Sequence, residues 1–258
     1  MVKALFFDID GTLVSFDTHT IPQSALDAIS RVRRMGIKVF ICTGRPVPFI
    51  NNIDGLETDG IISVNGACCS TNDDGVIYRN TVSRDDIRRI IDYQRSHPMA
   101  IAFVNNEKAF MVNPTKASDE VYRLLAIPAP EIRPIEEALE MDVMQVIAFF
   151  TKNDEEMMMS SVLRECDANR WHPAFADCIA KNTNKATGID MVCRHLGIET
   201  SETMAFGDGG NDIAMLRHAG IGVAMGNASD EVKQHADYVT TSVDEDGIAN
   251  ALGHFFIG

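Results

Sequence analysis

Two carboxylates follow the first apolar stretch of the chain, within Ala4-Leu5-Phe6-Phe7-Asp8-Ile9-Asp10-Gly11. A short apolar run beside a turn signal predicts a buried strand, and residues two apart in a strand point to the same side. Asp8 and Asp10 therefore leave the strand end together, beside a glycine that lets the backbone turn sharply. Adjacent anions at this position suit a divalent cation, a nucleophile or an acid–base pair.

Two other interpretations of this acidic turn stay open. Asp and Gly are common where a strand simply enters a turn, and calcium loops also use alternating acids. The continuation of a calcium loop is missing, because Thr12 takes the next alternate position and His19 stands where the loop would end in glutamate. The short motif alone does not separate a turn from a chemical site.

Residues with matching chemistry recur much later in the chain. Gly207-Asp208-Gly209-Gly210-Asn211-Asp212 follows another apolar stretch and adds acids and an amide. Between the two acidic segments lie Thr43, a hydroxyl at a predicted strand end, and Lys185, a cation near a predicted helix start. Acids from both segments can hold Mg²⁺, which prefers octahedral oxygen ligands. A hydroxyl, an ammonium and exposed backbone amides would neutralise phosphate oxygens.

The elements that must position these residues alternate between strands and helices. Buried apolar runs predict strands over 4–7, 37–42, 61–64, 203–206 and 221–224. Apolar stripes and start signals predict helices over 22–35, from 46 onward, and over 184–196. This alternation is typical of parallel α/β units, whose ligands collect at the carboxyl edge of the sheet.

The middle of the chain has a different pattern. Residues 68–82 are predicted to form a hairpin, and the stretch after them combines strands with helices near 83–96, 119–126 and 154–164. Helices segregated from antiparallel strands are typical of an α+β module. We therefore predict a discontinuous core domain of residues 1–82 and 181–258, with an α+β domain of residues 83–180 inserted into it.

Composition restricts the partners and the compartment. The 258-residue chain has a formal net charge of −14, which argues against nucleic acid and anionic membranes as partners, since both require positive charge. Its six cysteines lack zinc-site spacing and are interpreted as thiols of a reduced compartment. Neither a signal peptide nor an apolar stretch of about 20 residues is evident. We predict a cytoplasmic protein and take a monomer as the default.

These motifs together resemble those of the haloacid dehalogenase (HAD) superfamily, and the large insert resembles the C2 cap of its Cof-type branch. The matching segments are Asp8-Ile9-Asp10-Gly11-Thr12-Leu13, Thr43-Gly44-Arg45, Lys185 and Gly207-Asp208-Gly209-Gly210-Asn211-Asp212. The resemblance covers essentially the whole chain. It implies an α/β fold with a Rossmann-like, three-layer parallel-sheet core, an inserted α+β cap, and Mg²⁺-dependent phosphoryl transfer.

The resemblance also implies roles for the acids. Asp8 would be the nucleophile that forms an aspartyl-phosphate. Asp10 would act as general acid on the leaving alcohol and then as base on the hydrolytic water. Asp8, the backbone carbonyl of Asp10, and Asp208 would ligate Mg²⁺. Asp212 would support Lys185 or the water shell of the metal.

Further site residues follow from the same resemblance. The phosphoryl group and substrate would be held by Thr43, Gly44, Lys185 and Asn211. Arg45 either reaches the substrate or forms a salt bridge with a nearby acid. The family often has glycine after its motif lysine, whereas this chain has Ala186, which leaves Lys181 as a competing assignment for Lys185.

Three residues outside the motifs carry two interpretations each. Asn65 ends a predicted strand and either borders the site or forms a turn. Arg170 and Trp171 either contact the leaving group or have a structural role.

Three functions are consistent with the sequence. The first is a phosphatase for small phosphomonoesters, such as sugar phosphates, because a cap over the site leaves little room for a macromolecule. The second is a phosphomutase of the same superfamily, which uses the same nucleophile. The third is a non-catalytic protein that binds phosphorylated metabolites, although a binder gains nothing from two repelling acids. The sequence favours the phosphatase and does not name its substrate.

Overall fold

The computed structural model describes residues 1–50, 52–124 and 128–257, without the side chains of Trp171 and Ile257. The described chain forms two units. One comprises Met1–Arg45, Ile50–Tyr78 and Asn184–Gly258, and the other comprises Pro46–Phe49 and Arg79–Thr183. The division into a core of residues 1–82 and 181–258 and an inserted domain of residues 83–180 stays a prediction. No helix in the described parts of the chain combines the length and the hydropathy that crossing a bilayer requires.

The chain builds its strands and helices in the following order. The strands are β1 (Ala4–Phe7), β2 (Lys38–Cys42), β3 (Gly60–Ser63), β4 (Cys68–Thr71), β5 (Gly75–Arg79), β6 (Ile101–Val104), β7 (Ala109–Val112), β8 (Glu131–Ile132), β9 (Gln145–Ala148), β10 (Cys166–His172), β11 (Phe175–Ala180), β12 (Thr203–Gly207), β13 (Ile221–Ala224) and β14 (Tyr238–Val239). The α-helices are α1 (Gln23–Arg34), α2 (Arg84–Gln94), α3 (Lys116–Leu124), α4 (Glu155–Met157), α5 (Lys185–Leu196), α6 (Ile213–His218), α7 (Asp230–Lys233) and α8 (Gly247–Leu252).

The first sheet has the strand order β14-β13-β12-β1-β2-β3-β4-β5. Strands β14 to β3 run parallel along this order, and β4 returns antiparallel to β3. Leu5 and Phe7 of β1 pack with α1 and α8 on one face, whereas Ala4 and Phe6 pack with α5 on the other. Burial on both faces explains why β1 is continuously apolar. The predicted three-layer α/β core with a parallel sheet is confirmed.

The second sheet has the strand order β10-β11-β9-β6-β7-β8. Its pairs are antiparallel except for β7 with β8. Phe103 faces α2 in one apolar cluster, and Ala102 faces α3 in another. Helices thus cover both faces of an antiparallel sheet, which confirms the predicted α+β character of this part of the chain.

Two predicted helices differ from the observed elements. The helix expected from residue 46 is only a 3₁₀ turn, Val47–Phe49, because Pro48 has no backbone N–H and disfavours helical geometry at the residue before it. The helix expected over residues 154–164 consists of a 3₁₀ turn, α4 and a π-helical turn, Met158–Val162. The wider π turn brings Met158 and Val162 into the core together.

The helix predicted over residues 119–126 corresponds to α3. It begins earlier, at Lys116, and its described part ends at Leu124. Residues 125–127 lie outside the described residues.

Asp86 anchors α2 in the second unit. Its fully buried carboxylate contacts Arg89 and accepts hydrogen bonds from the backbone N–H groups of Arg164 (3.1 Å) and Glu165 (2.9 Å). We expect Asp86→Asn to lower the free energy of unfolding by about 2–3 kcal/mol, because hydrogen bonds to a buried charge are lost. Urea unfolding monitored by circular dichroism measures this change.

Asp85→Asn is the matched control for Asp86→Asn. Asp85 neighbours Asp86 on α2, but its carboxylate is exposed and pairs with exposed Arg88. Because exposed pairs contribute little, its removal should change the free energy of unfolding by less than about 1 kcal/mol. Equal losses in both variants would contradict the anchoring role of Asp86.

Candidate active site

Four parallel strands of the first sheet end on polar residues at one edge. Asp8 follows β1, Thr43 follows β2, Asn65 lies just beyond β3, and Asp208 follows β12. Because β12, β1, β2 and β3 are neighbours, their carboxyl ends bring these side chains to a common edge. The carboxyl edge is where ligands bind in open α/β sheets.

The turn after β1 fixes the two acids of the first motif. Gly11 has a positive φ of 80°, and a Cβ there would lie 2.2 Å from Oδ2 of Asp208. Only glycine allows both this backbone conformation and this close approach. Within the described residues, no backbone N–H donates to the Asp10 carbonyl, so its oxygen keeps both lone pairs for another ligand.

Lys185 connects two acids at the centre of the edge. Its Nζ donates to Oδ1 of Asp8 and to Oδ1 of Asp212, each at 2.5 Å. Lys185 and Asp212 have no exposed surface. Lys185 is the first residue of α5, whose N-cap residue Asn184 accepts a hydrogen bond from the Thr187 N–H. The N-cap sets the start of the helix and thereby the position of the lysine.

A glycine of α5 is required one turn beyond the lysine. A Cβ on Gly188 would lie 2.5 Å from the Ile62 side chain, so the close packing of α5 on β3 depends on this position. The glycine that this close packing requires is Gly188, three residues after Lys185. Ala186, which directly follows the lysine, lies within α5.

The charges of this cluster shift the pKa values of its members. Burial raises the pKa of Asp8 to about 8; the Asp212 carboxylate adds to this effect and Lys185 opposes it. Burial disfavours the charged form of Lys185, but Asp212 and Asp8 outweigh burial and raise the pKa of the lysine. Burial raises the pKa of Asp208 to about 6. The hydrogen bond from Thr12 lowers this pKa, and the charge of Asp212 raises it further. The acids together carry more negative charge than one lysine neutralises.

A divalent cation fits this excess of charge. Asp8, Asp208 and Asp212 each offer a carboxylate oxygen, and these oxygens lie within 4.8 Å of one another. Asp212 is already engaged, since its Oδ1 accepts from Lys185 and its Oδ2 accepts from the N–H groups of Asp208 (3.0 Å) and Gly209 (2.9 Å). Asp208 is less buried than Asp212 and accepts only one neutral donor at each oxygen, and Asp8 accepts from Lys185 through Oδ1. Asp8, Asp208 and the Asp10 carbonyl are therefore better suited to a divalent cation than Asp212. The bonds of Asp212 to Lys185 and to the backbone support this site.

Both oxygens of Asp208 are held by neighbouring side chains. Oδ1 accepts from Oγ1 of Thr12 at 2.9 Å, and Oδ2 accepts from Nδ2 of Asn227 at 3.3 Å. Asn227 also donates to the Gly11 carbonyl and accepts from the Val243 N–H. It follows β13, so one more polar strand end belongs to the site. Asn227 was not among the residues predicted from the sequence, although a polar residue after an apolar strand was the available signal.

We expect Asn227→Ala to weaken Mg²⁺ binding by about 10–100-fold, because residues that orient a metal ligand have effects of this size. Thr12→Val should weaken it in the same direction, since Thr12 holds the other oxygen of Asp208. Isothermal titration calorimetry with Mg²⁺ measures the dissociation constant. Ser229→Ala is the control, because Ser229 only caps α7 nearby. Unchanged Mg²⁺ affinity in folded Asn227→Ala would contradict this role.

Besides Lys185, the residues predicted to hold the phosphoryl group follow two strands: Thr43 and Gly44 follow β2, and Asn211 follows β12. Thr43 is buried, and its Oγ1 accepts from the Arg45 N–H at 3.1 Å. Nδ2 of Asn211 donates to Oδ1 of Asn65 at 3.0 Å. A Cβ on Gly44 would lie 3.1 Å from the amide of Asn65. The structure thus brings Gly44 and Asn211 next to Asn65, a residue with two interpretations in the sequence.

Arg45 forms an ion pair with Asp10. Its Nε donates to Oδ2 at 2.8 Å and its Nη2 donates to Oδ1 at 2.5 Å, while Nη1 donates to Oδ1 of Asn52. Of the two interpretations of Arg45, the structure contains the salt bridge. A contact between Arg45 and substrate stays a prediction.

Arg170 is bound within the second unit. Its Nη1 donates to the carbonyls of Phe150, Pro173 and Phe175, and its Nε donates to Glu155. These bonds tie β10 to neighbouring segments, which is a structural role. The side chain of Trp171 lies outside the described residues.

Comparisons with known proteins agree with this geometry. The chain matches the family of haloacid dehalogenase-like hydrolases over residues 5–252. A candidate phosphatase of Bacillus subtilis, YkrA, is 35% identical over 97% of this chain and 96% of its own. The solved structure of the HAD subclass IIB sugar phosphatase BT4131 is 43% identical over all of both chains, with a TM-score of 0.87. That of the HAD phosphatase BT1666 from Bacteroides thetaiotaomicron is 40% identical over 100% of this chain and 96% of its own, with a TM-score of 0.92. The chain therefore belongs to the haloacid dehalogenase-like hydrolases, as a phosphatase of the Cof-type branch.

Proposed function

We propose that this protein is a Mg²⁺-dependent phosphatase that hydrolyses small phosphomonoesters, in particular sugar phosphates, through an aspartyl-phosphate. One observation carries the proposal: Lys185 is shared by Asp8 and Asp212 at the edge where Asp208 also lies. A buried lysine beside a carboxylate of raised pKa, at a strand edge, is an arrangement for chemistry rather than for packing.

The first step forms a bond between Oδ of Asp8 and phosphorus. The bond between phosphorus and the ester oxygen breaks, and the leaving alkoxide takes a proton from the Asp10 carboxyl. Lys185, Thr43 and the backbone around Gly44 neutralise the phosphoryl oxygens. Asp10 is suited to reach a leaving group because 37% of its side chain is exposed.

The second step releases phosphate. Water attacks phosphorus of the aspartyl-phosphate, Asp10 accepts a proton from that water, and the bond between phosphorus and Asp8 breaks. Asp8 is regenerated as a carboxylate, and the products are an alcohol and inorganic phosphate. Asp10 thus serves as acid and then as base, so that no further titratable group is needed.

Mg²⁺ would be held by Asp8, the Asp10 carbonyl and Asp208, and would supply positive charge for the phosphoryl oxygens. Asp212 and Asn227 keep the surrounding groups in place through the hydrogen bonds described above.

The substrate class and the cellular setting complete the proposal. The likeness to the sugar phosphatase BT4131 over the whole chain supports a sugar phosphate as substrate. All six cysteines are buried, and none of them forms a disulfide within the described chain, which supports a reducing compartment such as the cytoplasm. We take the active form to be a monomer.

A phosphate-release assay tests the function. Purified protein with Mg²⁺ should release phosphate from para-nitrophenyl phosphate and from members of a panel of hexose, pentose, polyol and nucleotide phosphates, and EDTA should stop the release. Nuclear magnetic resonance of the products separates hydrolysis from transfer to a second hydroxyl. A phosphate that only moves between hydroxyls would replace the phosphatase with a mutase, and absence of any turnover on the panel would contradict the proposal.

A further inference from the structure

Three consecutive residues beyond β3 have left-handed backbone conformations. The φ angles are 51° at Val64, 52° at Asn65 and 97° at Gly66. Glycine adopts such angles freely and asparagine tolerates them, but a β-branched residue such as Val64 does so only under strain. Strained backbone persists where the surrounding structure enforces it, and it concentrates at functional sites.

The neighbouring chain enforces this conformation. The N–H of Val64 donates to the Arg45 carbonyl at 3.2 Å, and the N–H of Asn65 donates to the Thr43 carbonyl at 3.0 Å. A Cβ on Gly66 would lie 2.1 Å from the Asn184 carbonyl. The turn is thus fixed between the segment after β2 and the start of α5, the two segments that carry Thr43 and Lys185.

The result is a fixed direction for the Asn65 side chain. Asn65 is 8% exposed, and its Oδ1 accepts from Nδ2 of Asn211 at 3.0 Å. Its own Nδ2 has no acceptor among the residues that the structure describes, and lies 3.1 Å from the position of a Cβ on Gly44. An amide donor in a nearly buried position, held on one side and unused on the other, is suited to an incoming anion.

We propose that Asn65 is a further substrate-binding residue, whose Nδ2 donates a hydrogen bond to an oxygen of the transferring phosphoryl group. The inference rests on the proposed phosphatase function and adds a donor to it. Asn65 contacts both Gly44 and Asn211, two of the residues predicted to hold this group, so its free N–H lies where phosphoryl oxygens are expected. The strain at Val64 keeps the donor in position before substrate arrives.

Asn65→Gly tests the donor without disturbing the turn, because glycine also accepts a positive φ. We expect this variant to bind inorganic phosphate about 10–100-fold more weakly in the presence of Mg²⁺, because a hydrogen bond to a charged group is lost. Its kcat/KM should fall by a similar factor. Isothermal titration calorimetry with phosphate gives a readout independent of turnover. Asn65→Asp, which replaces the donor with an anion, should lose more than Asn65→Gly.

Asn113→Gly is the matched control, since Asn113 is an exposed asparagine with a φ of 48° in the other unit. It should leave phosphate affinity unchanged. Asn211→Ala, alone and combined with Asn65→Gly, separates a phosphate contact from support of Asn211. If Asn65 donates to phosphate, the double variant should bind phosphate more weakly than Asn211→Ala. If Asn65 only holds Asn211 in place, the two should have equal phosphate affinity. Wild-type phosphate affinity in Asn65→Gly, or no added loss in the double variant, would overturn the inference. Either result leaves wild-type phosphatase activity, and hence the proposed function, intact.

Discussion

Asp8→Asn is expected to lower kcat by on the order of 10⁴–10⁶-fold, the size of effect that follows removal of a catalytic nucleophile. The amide nitrogen and oxygen of asparagine do not form the phosphoenzyme, although the side chain keeps its shape. Loss of the carboxylate also removes one proposed ligand of Mg²⁺. The measurement is phosphate release under saturating substrate, with the best phosphate ester found in the substrate panel.

The fold of Asp8→Asn should be preserved. Because burial raises the pKa of Asp8 to about 8 in the folded chain, well above that of a carboxyl in the unfolded chain, its ionised form opposes folding at any pH above the unfolded pKa. A neutral side chain removes that penalty, and Lys185 keeps Asp212 as its partner. We expect the urea midpoint of the variant to equal or exceed that of the wild type at pH 8.

Asp10→Asn is the comparison that separates the two acids. It should lower kcat/KM, which reports the step in which the alcohol leaves, by about 10²–10⁴-fold with an alkyl phosphate, whose leaving alkoxide needs a proton. The loss should be smaller with para-nitrophenyl phosphate, because nitrophenolate leaves without protonation. Asp8→Asn should fail equally with both substrates. Normal turnover by Asp8→Asn, or an identical leaving-group dependence in the two variants, would contradict the assignment of Asp8 as nucleophile.

The sequence predicted those parts of the site that local chemistry defines. Asp8 and Asp208 follow short apolar runs that predict buried strands, and parallel strands present their carboxyl ends at one edge of the sheet. Lys185 follows an asparagine that caps the helix, so the sequence also predicted its position at a helix start. Apolar runs were sufficient for the parallel strands from β12 to β3 of the first sheet, but they did not predict the exposed two-residue strand β8 of the second sheet.

The parts that the sequence did not predict depend on contacts between distant segments. Asn227 is an ordinary polar residue until β13 places it against Gly11 and Asp208. The strain at Val64 is invisible in the sequence, since valine favours strands. The sequence also left two partners for Arg45, a substrate and a nearby acid. The ion pair with Asp10 forms because the turn after β1 places this acid beside the guanidinium. Long-range hydrogen bonds of this kind leave no local pattern.

Lys185→Met should damage both stability and catalysis, because one ammonium serves two purposes. In the folded chain, Lys185 is fully buried and bridges Asp8 and Asp212. Its removal leaves buried carboxylates unpaired, and we expect the free energy of unfolding to fall by about 3–5 kcal/mol at pH 8. It also removes a donor to the transferring phosphoryl group, so kcat/KM should fall by at least about 10²–10³-fold.

The two effects of Lys185→Met can be separated by pH and by a second substitution. In EDTA, the loss of stability should shrink as pH falls, because unpaired buried carboxylates become neutral by binding protons. Asp212→Asn in the Lys185→Met background removes one of the two acids and should restore part of the stability. It should not restore turnover, since the cation that neutralises phosphoryl oxygens is still absent. Recovery of both properties together would mean that Lys185 acts only by neutralising Asp212, whereas recovery of stability alone assigns the lysine to the reaction.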